Sequence, residues 1–227
     1  MHLPASLLPA WIPAVAALLL AAALLLALRQ AHWRALRAAP ERMHLVAGGA
    51  VACLLLWLLN IHLVEGVTLH FLGITTLTLV VGWSFCVLAG SAVLCGFYLI
   101  SGLDWAAFAV SAGLTVLLPA SVTRLLAQLL YRPRLRHPFV YILGAGFAGG
   151  ALVVLAVALA ALCLLVLAGQ QGWIAALLQW WALVFLLMFS EGFINGMCIS
   201  ALAVFRPDAV KTFDDRFYLD DDRRGPR

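Results

Sequence analysis

Charge is scarce in this chain: 11% of its 227 residues are Asp, Glu, Lys or Arg, while 65% are hydrophobic. Soluble domains carry roughly 25% charged residues, so a soluble globular enzyme is excluded. No GxxxxGK[ST] loop occurs, which leaves the chain without that means of binding ATP. No HExxH pair and no CxxC spacing is present either. The five cysteines, Cys53, Cys86, Cys95, Cys163 and Cys198, all sit inside apolar segments. They read as small packing residues, not as a disulfide framework. A basic stretch ahead of the first apolar run is also lacking: Arg29 is the first positive residue and follows that run. This speaks against a secretory signal peptide. The net charge of +4 is no nucleic-acid signal, because the positive residues cluster beside apolar runs.

What is present is a series of long, Leu/Ala-rich, non-alternating runs. A membrane helix needs about 20 apolar residues, and backbone groups in lipid must be satisfied within helices or closed barrels. Non-alternating runs select helices, so the chain reads as an all-α polytopic membrane protein. Seven candidate spans follow: Leu7–Leu28, Leu45–Val64, His70–Val81, Ser84–Ile100, Trp105–Leu130, Phe139–Leu167 and Ile174–Phe205. The third is short and reads as half of a tight hairpin around Gly82-Trp83. The seventh is too long for one straight span, and a kink is expected near Ser190-Glu191-Gly192 and Asn195-Gly196. Residues 1–212 form the membrane domain, and 213–227 a short charged tail that is disordered or serves in docking.

Arg29, Arg34, Arg37 and Arg42 lie between spans one and two, Arg132, Arg134 and Arg136 between five and six, and Arg206 and Lys211 after seven. The opposite loops carry no Lys or Arg. The positive-inside rule then places the amino terminus outside and the carboxyl terminus in the cytoplasm; the expected location is a bacterial inner membrane. His32, His44 and His137 fall among the arginines, whereas Met1-His2 and the His62–His70 stretch share the outer side.

A free amino terminus followed by histidine offers three nitrogens: the amine of Met1, the amide of His2 and its imidazole. Nickel(II) and copper(II) suit square-planar nitrogen sites, with cobalt(II) adjacent in the affinity series. A fourth nitrogen must come from elsewhere, and neutral imidazole is the natural donor. His70 and His62 are the candidates on that face. Asn60 is placed to orient a ligand through its amide. Glu191 is the acidic residue deep in an apolar run, where charge is costly and is either functional or paired. It could neutralise a cation, bond a ligating imidazole, or pair with Arg124. Asn195 lies one turn on, on the same helix face.

These residues carry a family resemblance. Met1-His2-Leu3-Pro4 resembles the MHIP start of CbiM/NikM-type proteins, the substrate-capturing membrane subunits of energy-coupling-factor cobalt and nickel importers. Gly66–Gly73 (GVTLHFLG) is similar to that family's GTSGHLLG stretch, and Glu191–Gly196 to the GEGLITA-like segment of the last span. The resemblance implies a substrate-metal site made by the Met1 amine, the His2 amide and imidazole, and the His70 imidazole. It implies no permanent cofactor, a Co(II) or Ni(II) cargo that could feed cobalamin biosynthesis, and no ATPase of its own. A transmembrane coupling subunit and ATPase subunits would drive transport. The chain has Ala5-Ser6 where the family usually continues with Glu-Gly, and Val67-Thr68-Leu69 before His70 in place of Thr-Ser-Gly.

Two other readings compete. A membrane-embedded metal-dependent enzyme would draw on His62, His70 and Glu191, but lacks a ligand pair at helical spacing. A haem-binding electron-transfer subunit would use His62 and His70 as axial ligands, although these flank one short loop. GxxxG at Gly146 and Gly150 reads as a site of close helix packing inside the bundle.

Overall fold

Peptide groups in lipid need partners within the protein, and the apolar runs meet that demand as helices. The structure is a computed structural model that describes residues 3–64, 67–132, 135, 137–214 and 217–218, with backbone alone for Ala5, 60–64 and 67–70. Among the described residues, six helical stretches are long and apolar enough to cross a membrane: Trp11–Gln30, Pro40–Leu58, Trp83–Ser101, Trp105–Leu130, Pro138–Leu167 and Trp181–Phe205. Each presents large apolar side chains outward, such as Leu18, Leu55, Leu99, Leu125, Leu159 and Phe185. In water such a surface would be untenable, and against acyl chains it is the expected one.

In chain order the helices are α1 (Trp11–Gln30), α2 (Trp33–Ala38), α3 (Pro40–Leu58), α4 (Ile74–Val81), α5 (Trp83–Ser101), α6 (Phe108–Ala112), α7 (Leu118–Leu130), α8 (Pro138–Tyr141), α9 (Gly149–Leu167), α10 (Gln171–Gln179) and α11 (Trp181–Phe205). A π-helical turn over Gly113–Leu117 joins α6 to α7, and another over Ile142–Ala148 joins α8 to α9. The first has a local cause. Pro119 cannot donate to the carbonyl four residues back and would clash with it, so the helix widens just ahead of it.

The structure departs from the sequence expectation in three places. The third segment is not a span: α4 has 8 residues, a rise of about 12 Å against a hydrocarbon core of about 30 Å. It is almost wholly buried, from Ile74 to Val81, and packs against α3, α5, α7 and α11. The second span ends at Leu58, and an antiparallel hairpin of β1 (Asn60–Val64) and β2 (Val67–His70) follows. Its register pairs Asn60 with His70, Ile61 with Leu69 and His62 with Thr68. The seventh segment breaks at Trp180, between α10 and α11, and α11 runs unbroken through Glu191 and Asn195.

That continuity comes from packing. A Cβ at Gly192 would lie 2.7 Å from the Phe147 carbonyl oxygen, and one at Gly150 would lie 3.0 Å from both the Glu191 oxygen and Gly192 Cα. A Cβ at Gly146 would come within 3.2 Å of Gly196 Cα. The two small-xxx-small pairs, Gly146/Gly150 and Gly192/Gly196, thus interlock backbone to backbone. The GxxxG motif serves internal packing and fixes the depth and rotation of Glu191.

The segment after α11 folds back onto the bundle. Lys211 N–H donates to the Val80 oxygen (3.1 Å) and Thr212 N–H to the Leu79 oxygen (3.2 Å), capping the last carbonyls of α4. Phe213 and Tyr218 are buried and stack on each other. Residues 213, 214, 217 and 218 are therefore docked, whereas the sequence offered disorder as one reading of this tail. Residues 219–227 lie outside the described residues.

Candidate metal centre

The site is built at the amino-terminal end of α4. Residues 71–73 are irregular backbone inside a helical bundle, and such backbone at membrane depth must be satisfied by protein. Glu191 supplies the acceptors. Its Oε2 accepts from Leu72 N–H at 2.9 Å, and its Oε1 from Gly73 N–H at 2.7 Å. Asn195 Nδ2 donates to the same Oε1 (2.9 Å) and to the Glu191 main-chain oxygen (2.7 Å). The carboxylate is 1% exposed and is an acceptor in all three side-chain bonds. Three donors on one acid make charge-assisted bonds, each worth about 1.5–3 kcal/mol.

Asn195 completes the clamp. Its Oδ1 accepts from Thr76 N–H (2.8 Å) and from Thr76 Oγ1 (2.6 Å). Thr76 lies in the first turn of α4, where N–H groups have no partner within the helix. One acid and one amide, four residues apart on α11, thus satisfy three amides at the start of α4. Their negative end also faces the positive end of that helix. The Leu72 carbonyl is taken by Trp57 Nε1 (3.0 Å), whose side chain is fully buried. Leu72 is therefore held from both sides.

Gly73 is at φ 65° and ψ −7°, the left-handed region that glycine enters without a steric penalty. A Cβ there would also meet Leu56 Cδ1 at 3.0 Å and Cys53 Sγ at 3.3 Å. The turn that carries His70 into α4 needs this glycine on both counts.

Leu3 is 1% exposed and packs in one apolar cluster with Leu72, Ile12, Leu114, Val153 and Val157. Leu3 is therefore part of the bundle core, in the cluster that also takes in Leu72 of the turn that Glu191 holds. Gln170 Nε2 donates to the Leu7 oxygen (2.9 Å) and ties the approach to the α9–α10 connection.

Of the sequence-derived site residues, Glu191 and Asn195 are brought together as a hydrogen-bonded pair. The register sets Asn60 opposite His70, and His62 two positions along opposite Thr68. Met1 and His2 lie outside the described residues, as do the side chains of Asn60, His62 and His70. Among the described residues no group of three His, Cys, Asp or Glu could hold a metal. The pairing of Glu191 with Arg124 does not occur: Arg124 Cζ lies 5.4 Å from the Trp83 ring centroid, and the Glu191 oxygens are bonded to Leu72, Gly73 and Asn195. Sequence reasoning passed over Trp57, Leu72 and Thr76: Leu72 acts through its main chain, Thr76 through its amide and hydroxyl, and Trp57 through its indole N–H, in a pattern that no motif advertises.

A family model described as "CbiM: Cobalt uptake substrate-specific transmembrane region" matches residues 2–209. The chain belongs to the CbiM family. A solved structure titled as the crystal structure of a transition metal transporter shares the fold, with a TM-score of 0.73 at 18% identity, covering 90% of this chain and 93% of that one. A comparison with curated proteins gives no match. As a CbiM chain, this protein is a substrate-specific membrane component of metal uptake, which sets aside the enzyme and haem readings.

Proposed function

We propose that this chain captures Co(II) or Ni(II) from outside a bacterial inner membrane, using the Met1 amine, the His2 amide nitrogen and imidazole, and the His70 imidazole. The observation that carries the reading is the burial of Leu3 in the same apolar cluster as Leu72. Consecutive Cα atoms are about 3.8 Å apart, so the terminal amine is tethered within two residues of the bundle core. His70 precedes Leu72 by two residues as well. Both halves of the nitrogen set are thereby leashed to one apolar cluster.

Glu191, Asn195 and Trp57 position the turn and do not ligate, since their polar atoms are engaged with Leu72, Gly73 and Thr76. Asn60, opposite His70 in the hairpin, is the residue assigned to orient its imidazole. Captured metal would pass inward when a coupling subunit and ATPase subunits rearrange the bundle; this chain supplies selection, and its partners supply the energy.

Calorimetric titration of purified protein with Ni(II) and Co(II) tests the assignment. It should show about one equivalent bound, and both His2→Ala and His70→Ala should abolish binding. Wild-type affinity in either variant would refute the ligand set. A separate comparison of Ni(II) with Co(II) affinity decides between the two cargoes.

A further inference from the structure

At the other end of α4 lies a second polar site, which metal capture does not use. The ends of α1, α4 and α7 and the segment after α11 surround a cavity of about 640 Å³ lined by Arg29, His32, Arg124, Tyr131 and Lys211. A smaller cavity of about 260 Å³ adjoins it, sharing His32 and Lys211 and adding Arg42. No Asp or Glu among the described residues lines either one. Lys211 is fixed at the junction. Its main chain is bonded to Val80, its Nζ sits 5.8 Å from the Phe85 ring centroid, and its side chain lies across Gly82. Arg124 is held over Trp83. Burial, Arg42 and Arg124 together hold the Lys211 ammonium below the ordinary lysine range, as expected for cations gathered without an anion.

The smaller cavity is different in kind. Apart from its cations its walls are apolar, including Leu36, Leu45, Val46, Val81 and Phe85. A free phosphate has no use for such a chamber, whereas a molecule with a charged head and a hydrocarbon arm fills both. Trp33, Trp83 and Tyr131 ring the same region, and Trp and Tyr gather at the headgroup level of membranes. Basic pockets between helices on the positive side take anionic head groups. We propose that the paired cavities form a binding site for an anionic phospholipid. Its phosphate lies among Arg29, Arg124 and Lys211, and one acyl chain lies along Leu45, Val46 and Phe85.

Native mass spectrometry of the full chain, released from detergent with phosphatidylglycerol or phosphatidylcholine, reads this directly. The wild type should retain phosphatidylglycerol preferentially, and inorganic phosphate at the same concentration should not displace it. Each basic group near an anionic surface is worth about fivefold in affinity. Arg124→Gln with Lys211→Gln should therefore cut retention by about 25-fold, and Arg29→Gln with Arg42→Gln, which leaves the Trp83 stack intact, should do the same. Arg37→Gln, outside both cavities, should change nothing. Equal retention of the two lipids by the wild type would overturn the proposal. So would undiminished retention in both double variants, displacement by inorganic phosphate, or displacement by a poly-aspartate peptide that points to an acidic protein partner instead.

Discussion

Replacing Glu191 by glutamine should loosen the turn that carries His70 while leaving the fold in place. The carboxylate accepts from Leu72, Gly73 and Asn195 at 2.7–2.9 Å. A glutamine amide keeps one acceptor oxygen and turns its NH₂ toward a donor. If the oxygen stays with Gly73 and Asn195, Leu72 N–H is left buried and unpaired, at a cost of about 1–3 kcal/mol. The two surviving bonds lose charge assistance, about 1 kcal/mol each. The sum is about 3–5 kcal/mol against the ordered turn. Backbone contacts between α9 and α11 involve glycines and not the carboxylate, so the bundle should still assemble. At 1.4 kcal/mol per tenfold, the ceiling on lost affinity is about 4,000-fold. Residues that position a metal ligand typically account for 10–100-fold, so nickel binding should weaken by about 100-fold in calorimetry. Glu191→Asp separates two roles for the acid. It keeps the charge but withdraws the carboxylate by one methylene, so it cannot reach both amides. If Glu191 acts by holding the turn, the aspartate variant should lose affinity as well, and Leu72 and Gly73 should exchange their amide hydrogens faster. Wild-type affinity with protected amides in either variant would refute this reasoning.

Further outcomes follow from the same geometry. Gly192→Ala would place a Cβ 2.7 Å from the Phe147 oxygen, and overpacking of this kind costs typically 1–3 kcal/mol or more. A clear drop in the thermal midpoint in detergent is expected, and an unchanged midpoint would argue against the interlocked glycines. Asn195→Leu leaves the Thr76 amide without its acceptor and should destabilise by about 1–3 kcal/mol, measured as a shift in the same transition. Trp57→Phe removes the donor to the Leu72 oxygen and should cost about 1 kcal/mol, with a smaller loss of metal affinity than Glu191→Gln. Lys211 has a lowered folded-state pKa, so between that pKa and the lysine value the unfolded chain binds more protons. Stability should then rise with pH through this window. A Lys211→Met variant should flatten that part of the midpoint-against-pH curve.

The membrane character, the helical class and the i, i+4 partnership of Glu191 with Asn195 were legible in the sequence, because each depends on local spacing. Gly146 and Gly150 announced close packing in the same way. What remained hidden depended on tertiary partners. Ile74–Val81 is apolar enough to suggest a span, yet it is a short buried helix because its first amides are satisfied by α11 and its last carbonyls by Lys211 and Thr212. Gly192 and Gly196 suggested a kink, since glycine weakens an isolated helix. Here Phe147 and Ala151 fill the space at these glycines and α11 stays continuous, so tertiary packing outweighs propensity. The β1–β2 hairpin was concealed by an apolar run that continues past Leu58. The clamp on Leu72 and Gly73 uses main-chain amides, which leave no signature in a sequence.

The central claim is that metal capture uses the terminal amine delivered to the bundle through Leu3. One measurement meets it head on: nickel binding by the native protein beside a form carrying a single additional residue ahead of Met1. The account predicts about one equivalent of Ni(II) for the native chain and none for the extended one, with the two sharing the same thermal stability without metal. Full-affinity nickel binding by the extended protein would contradict it.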